Sequence, residues 1–217
     1  TGEERVCAPP QLANLRLETG DGVNLTCGPV ERFDVECNGG VRAVLRWSGP
    51  LVCSKNQKGW AYVIRATLYA RVSEVRLGVT IINDNPEPKY REVKMIALRL
   101  PLEAQGGVVG ALDGARLISP GTEGLMVQQD DENRSRMTGS PRGGKRMPGI
   151  AVVADNKSRV TVATRDFWQS YPSGYAIKSD GLHIRILPPL EADAYSGVSE
   201  LDALRLFGWF RNGRYIF

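Results

Sequence analysis

The sequence predicts an all-β protein, a large twisted antiparallel β-sandwich, and three observations carry that prediction. Apolar and polar residues alternate through most periodic segments instead of recurring at helical spacing. Val, Ile, Thr and Tyr dominate those segments, and their branched or aromatic side chains suit a pleated surface. Turn chemistry separates the segments at short intervals, supplied by many of the 24 Gly and 13 Pro residues in a chain of 217, which is the punctuation of a sandwich or barrel.

In chain order, residues 1–39 hold Cys-containing strands. A strand over Val41–Trp47 stops at Ser48-Gly49-Pro50. Trp60–Arg71 and Val75–Ile82 are two long strands joined through the polar break Ser73-Glu74. The turn Asn83-Asp84-Asn85-Pro86 follows, because Asn and Asp bond their own backbone and Pro cannot continue a ladder. Further strands are read at Val93–Leu102, Val108–Ile118, Gly124–Gln128, Ile150–Ala154, Arg159–Trp168 and Leu182–Leu187. Glu200–Phe207 is the one segment whose spacing also fits a helix.

Between Gln129 and Met147 the composition turns sharply polar, with Asp130-Asp131-Glu132 followed by Arg134, Arg136, Arg142, Lys145 and Arg146. A long polar loop leaving the sheet is expected there, and its basic residues are candidate partner contacts. The tail 191–217 ends on aromatic residues, so either Tyr215 and Phe217 dock on a neighbour or the chain is cut from a longer one. The whole chain reads as a single domain over 1–217.

Composition narrows the function classes. Hydrophobic content of 42% against 24% charged fits a chain with a buried core. The formal charge is 28 − 24 = +4, spread along the chain, too mild to call for nucleic acid as partner. Apolar runs are strand-sized, well short of the ~20 residues of a membrane-spanning helix, so no membrane partner is expected. The start Thr1-Gly2-Glu3-Glu4-Arg5 is polar, without initiator Met or apolar stretch, so any targeting segment is expected to have been removed or never to have been part of this chain.

Four cysteines, Cys7, Cys27, Cys37 and Cys53, fall in the first quarter without a C-x-x-C pair. That argues against a zinc ribbon or a thioredoxin-type site and for disulfides of open pairing, with buried thiols as the competing reading. Sequons at Asn24, Asn133 and Asn156 also fit an extracellular, cell-surface or particle-borne location.

Gly139-Ser140-Pro141-Arg142-Gly143-Gly144-Lys145-Arg146 nearly copies a phosphate-binding loop. Arg146 stands where Ser or Thr must hold magnesium, and Pro148 denies the following helix, so a nucleotide site is excluded. His183 is the only histidine, which removes any metal site or relay needing two imidazoles. Alternation in Leu182-His183-Ile184-Arg185-Ile186 places His183 and Arg185 together on the more solvated face. The acidic clusters lack the spacing of a calcium loop. No metal and no cofactor is expected.

The densest constellation is Thr164-Arg165-Asp166-Phe167-Trp168-Gln169-Ser170-Tyr171-Pro172. Sugar rings stack C–H patches on aromatic faces, while hydroxyls or a uronate carboxylate take bonds from polar and guanidinium groups. Arg165, Asp166, Trp168, Gln169, Tyr171, Tyr175, His183 and Arg185 are therefore candidate carbohydrate-binding residues. The competing reading is a strand end at which Phe167 and Trp168 point to opposite faces and one fills the core.

Arg165-Asp166-Phe167-Trp168-Gln169, then Pro172, then Asp180-Gly181 through Pro188, resembles the aromatic passage in the central sandwich domain of exo-rhamnogalacturonan-lyase-like proteins. Upstream, residues 40–49, 61–70 and 79–84 are similar to that domain's paired long strands, so the likeness spans about residues 40 to 190. It implies a β-sandwich associated with acidic polysaccharide. No positions match a catalytic motif of that family, so the resemblance carries over no catalytic residue. The first functional expectation is a non-catalytic carbohydrate-associated module. The second is a structural subunit of an extracellular or virion, phage-like assembly, whose partners are other copies of itself or neighbouring subunits. The third is a polysaccharide lyase acting on acidic pectic glycan.

Overall fold

Every regular element among the described residues is a strand, and the recorded strand pairings are antiparallel. The computed structural model describes residues 14–53, 59–84, 91–101, 109–113, 116–118, 124–138, 146–154, 159–191, 209–211 and 214–216. They divide into two compact units, a larger one of Thr1–Arg16 with Lys94–Tyr215 and a smaller one of Leu17–Val93 with Ile216–Phe217. The helix-compatible segment 200–207, the turn residues Asn85 and Pro86, and Cys7 lie outside the described residues.

After β1 (Asn14–Thr19), which runs across the boundary, the smaller unit is made by β2 (Asn24–Cys27), β3 (Arg32–Asn38), β4 (Arg42–Val52), β5 (Trp60–Tyr69) and β6 (Val75–Asn83). β4 pairs with β5 from Arg42↔Tyr69 to Pro50↔Ala61, and β5 with β6 from Trp60↔Asn83 to Leu68↔Val75. Cross-strand partners share a face, so the register makes this sheet two-sided. One face collects Leu45, Trp47, Ile64, Ala66, Leu77 and Val79. The other carries an ion-pair ladder in which Asp34 meets Arg32 at 2.7 Å and Arg46 at 2.8 Å, while Glu36 meets Arg65 at 2.9 Å. The Arg32 guanidinium, opposed in part by desolvation, holds the Asp34 carboxyl below the usual carboxylate range, and Arg65 does the same for Glu36.

Two sequence expectations fail here. The first is that β4 does not stop at Ser48-Gly49-Pro50 but runs through it to Val52. Gly49 is required where it stands because a Cβ would overlap the crossing carbonyl of Pro29, and the Pro50 carbonyl accepts the Gly28 N–H at 2.9 Å. The proline ring removes a donor yet leaves this acceptor in use.

The second concerns the expected disulfides. No disulfide joins any two of Cys27, Cys37 and Cys53; Cys37 and Cys53 are free thiols. Register explains this. Cys27 lies opposite Leu51 on β4, so Cys53 is its diagonal neighbour, at a typical Cα separation of about 7–8 Å, beyond the usual disulfide reach. Cys37 pairs with Val44, seven residues farther along β4, which is roughly 23 Å at about 3.3 Å per residue. The Cys37 thiol instead lies 3.6 Å from the Arg42 carbonyl.

In the larger unit, β7 (Glu92–Leu100) enters from the boundary, and the chain continues through β8 (Val109–Asp113), β9 (Arg116–Ile118), β10 (Leu125–Asp131), β11 (Arg134–Met137), β12 (Ile150–Ala154) and β13 (Arg159–Ala163). β14 (Ser173–Lys178), β15 (Gly181–Leu187), β16 (Trp209–Arg211) and β17 (Arg214–Ile216) complete it. The order β11-β10-β14-β15-β7 makes one sheet, and β13-β12-β8-β9 makes a second. Their facing side chains form one core: Leu125, Val127, Tyr175, Ile177 and Leu182 from the first meet Ala151 and Val153 from the second, with Phe167 among them. Two antiparallel sheets sharing one dry layer is the sandwich the alternation predicts.

Three expectations about elements are revised in this unit. The polar excursion over 129–147 is in its first part a hairpin, since β10 runs to Asp131 and β11 pairs back on it from Arg134; residues 139–145 lie outside the described residues. Arg134 and Arg136, the candidate partner contacts, meet Asp131 and Asp130 within the hairpin while staying half or more exposed, and Arg142 and Lys145 lie outside the described residues. The strand expected over 108–118 is two strands, β8 and β9, paired antiparallel from Ala111↔Ile118 to Asp113↔Arg116. The strand expected to reach Trp168 ends at Ala163. In the tail, Tyr215 is buried and donates its hydroxyl to the Pro188 carbonyl at 2.5 Å, so it is no exposed contact for a neighbour; Phe217 lies outside the described residues.

Candidate functional site: a polar sheet face and its aromatic turn

The candidate residues Arg165, Asp166, Trp168, Gln169 and Tyr171 sit together on the turn that links β13 to β14. Its path is fixed from both ends. The Thr164 N–H donates to the Gly149 carbonyl at 3.0 Å, Ser170 N–H to the Asp166 carbonyl at 2.7 Å, and Ser173 Oγ to the Phe167 carbonyl at 2.7 Å. Asp166 adopts φ 53°, the left-handed conformation that a short polar side chain tolerates. Phe167 is turned into the core and stacks on Tyr175, centroids 5.2 Å apart and planes 9° from parallel. Gly149 has φ 66°, and a Cβ there would overlap the Cβ of Phe167, so only glycine lets the ring sit this close.

Trp168, the next residue, is half-buried and lies under the Arg146 guanidinium, 4.2 Å from ring centroid to Cζ. Arg146 is in turn paired to Glu132 in the β10–β11 turn. Burial pushes the Tyr171 hydroxyl pKa up, helped by the charges of Asp131 and Glu132. An aromatic pair, a cation and two carboxylates therefore gather at one end of the sheet. Arg165 is almost fully exposed beside Asp166, at 3.2 Å.

Tyr175 does not belong with them. It points to the core face, is 1% exposed, and donates its hydroxyl to the Gly149 carbonyl at 2.6 Å while meeting Thr164 Oγ1 at 2.5 Å. Burial pushes its pKa up to about 12. It anchors the turn and offers no ring to a ligand.

The register carries the site onto the sheet. Ser173 begins β14, and the following Gly174 lies between Gln128 of β10 and Arg185 of β15. Its neighbour two residues on, Ala176, lies between Met126 and His183. These residues share the face opposite the core, with small residues on β14 and longer polar ones on either side. Gln128 donates to Asp130 Oδ1 at 2.9 Å, and Arg136 meets the same carboxylate at 2.7 Å. His183 Nε2 lies 2.8 Å from Asp180 Oδ1, and Arg99, its partner on β7, donates to the Asp180 carbonyl at 3.0 Å. The hydrogen bond to His183 holds the Asp180 carboxyl below its usual range.

Alternation thus places His183 and Arg185 on one face, as expected, but that face is not the solvated one. Gln128, Asp130 and His183 are buried, as Leu182 is on the core side of β15, and the exposed Ile186 stands at the bulge after Arg185. Arg185 differs from every other cation named on this face. Its Nη1 contacts Met126 Sδ at 3.0 Å, no carboxylate pairs with it among the described residues, and burial alone pulls its pKa down. Sequence reasoning missed Gln128 and did not place Asp130, read as part of an acidic loop cluster, or Arg136, read as a partner contact, on this face. The signal was present in Gln128-Gln129-Asp130, where a strand turns polar on both faces.

What these data define is an all-β sandwich with a polar, partly buried sheet face and an aromatic turn at its end. No family model matches the chain, and no curated protein or solved structure matches it.

Proposed function

We propose that the protein is a carbohydrate-associated sandwich module that binds acidic glycan without cleaving it, a relative of the central domain of exo-rhamnogalacturonan-lyase-like proteins acting outside the cell. The observation that carries this reading is Arg185. A guanidinium taken largely out of water without a carboxylate is costly, and a planar uronate carboxylate is the anion its fork matches in two parallel bonds. Trp168 with Tyr171 supplies aromatic surface at the end of the same sheet. The resemblance over residues 40 to 190 supports the same substrate class.

The test is calorimetric titration of the full chain with oligogalacturonate and with a neutral oligosaccharide of equal length, alongside Trp fluorescence. Binding of the acidic ligand only, lost on Arg185→Met with the far-UV spectrum unchanged, is the expected result. Equal response to both ligands, or no response at millimolar oligogalacturonate, refutes the proposal.

A further inference from the structure

A second surface, in the smaller unit, is independent of the glycan reading. β6 ends the strand order of its sheet, and among the described residues no strand pairs with its outer edge. Native edges are blunted by Pro, Lys, bulges or shortness. β6 has none of these: it pairs with β5 through nine residues without a register break, and Val75-Arg76-Leu77-Gly78-Val79-Thr80-Ile81-Ile82-Asn83 contains neither Pro nor Lys. Its single charge is Arg76, a 66% exposed side chain that meets Glu74 at 2.7 Å and the Tyr69 ring at 5.3 Å. Gly78 faces open space.

We propose that this edge pairs with β6 of a second copy, antiparallel about a two-fold axis through Thr80. The charge pattern selects both partner and register. Centred on Thr80, Arg76 stands opposite Asp84 of the other copy, twice by symmetry, since Asp84 is exposed and continues the strand's ladder by donating to the Gly59 carbonyl at 2.7 Å. Thr80 then faces Thr80, Gly78 faces Ile82, and Val79 faces Ile81. Opposite charges and Thr–Thr pairs stabilise directly opposed positions. Moving the axis to Val79 sets Glu74 against Asp84, a like-charge pair, and loses the ion pairs. Because the period of a strand is two, the Thr80 register also keeps Leu77, Val79 and Ile81 of both copies on one face. The apolar faces thereby join into one sheet, which extends the partly exposed Phe33, Val35 and Leu77 surfaces into a common layer. An isologous contact of this kind closes and does not propagate.

Sedimentation of the full chain across a concentration series tests this. The wild type is expected to show a monomer–dimer equilibrium. Arg76→Asp and Asp84→Arg should each weaken association by roughly tenfold or more, because two attractive pairs become two repulsive ones. The double variant carrying both changes should recover it, with far-UV spectra alike throughout. A wild type that stays monomeric at about 100 μM overturns the proposal. So does a pair of single variants that associate like the wild type, or a double variant that stays as weak as either.

Discussion

Removing one hydroxyl separates the two roles open to Tyr175. In the folded chain its pKa is pushed up to about 12 by burial, against about 10 when unfolded. The unfolded chain therefore releases its proton first as the pH rises, and stability falls between about pH 10 and pH 12. At about 1.4 kcal/mol per unit, two units amount to roughly 2–3 kcal/mol from this residue. Tyr175→Phe keeps the ring stacked on Phe167 and deletes the bonds to Gly149 and Thr164. The Gly149 carbonyl still accepts from the Thr164 N–H, so the cost near pH 7 is about 1–2 kcal/mol. Urea unfolding of both proteins at pH 7, 10 and 11.5 reads the effect. Wild type should lose its advantage over the variant as the pH rises, and the two stabilities should converge or cross. Tyr62 and Tyr171, whose pKa values burial also raises, are common to both proteins and cancel in the difference. Parallel decline, with a constant gap at all three pH values, would show that this hydroxyl is not the buried anchor described.

Gly149→Ala combines a left-handed φ with an overlap on Phe167 and should cost about 3 kcal/mol or more in urea unfolding. It should also change Trp168 emission, since the turn is anchored there. Asp130→Ala strands the buried Gln128 amide and releases Arg136; a loss of roughly 1–3 kcal/mol is expected, discounted for the half-exposed arginine, and a neutral result would argue against the network. Cys37 and Cys53 should react with a thiol reagent in the folded protein without prior reduction, counted by mass spectrometry. Arg146→Ala should alter the Trp168 spectrum while changing stability by less than about 1 kcal/mol, the scale of an exposed cation–π contact.

The strands were legible where residue type alternates or β-branched residues run between turn signals. β5, β12 and β15 fall within a residue or two of their expected limits on that ground, although β5 and β15 are buried over consecutive residues. β11 and β14 were not found, for different reasons. β11 spells Arg-Ser-Arg-Met, whose inward residues Ser135 and Met137 are outweighed by charge. β14 is buried on both faces, so Ser-Gly-Tyr-Ala-Ile shows no alternation. Pro50 misled in the opposite direction, since a proline ends a strand only where its missing N–H was needed.

The candidate site shows the same limit more sharply. Residues of the aromatic turn were found because Trp, Tyr and Arg crowd into nine positions, and crowding survives any folding of the backbone. What sequence could not give is which of them face a ligand: Tyr175 and Trp168 look alike on paper, yet one is locked beneath Gly149 and the other lies under Arg146. Parity decided His183 and Arg185 correctly as face-mates and gave the wrong solvation, because alternation fixes which residues share a side but not what covers that side. The same reasoning makes Arg185 informative. A charge that alternation places on an outward face is ordinary, whereas Arg185 is partly buried against Met126 Sδ, among neighbours whose own carboxylates are committed to Arg136 and to His183, and that placement is what the titration with acidic ligand probes.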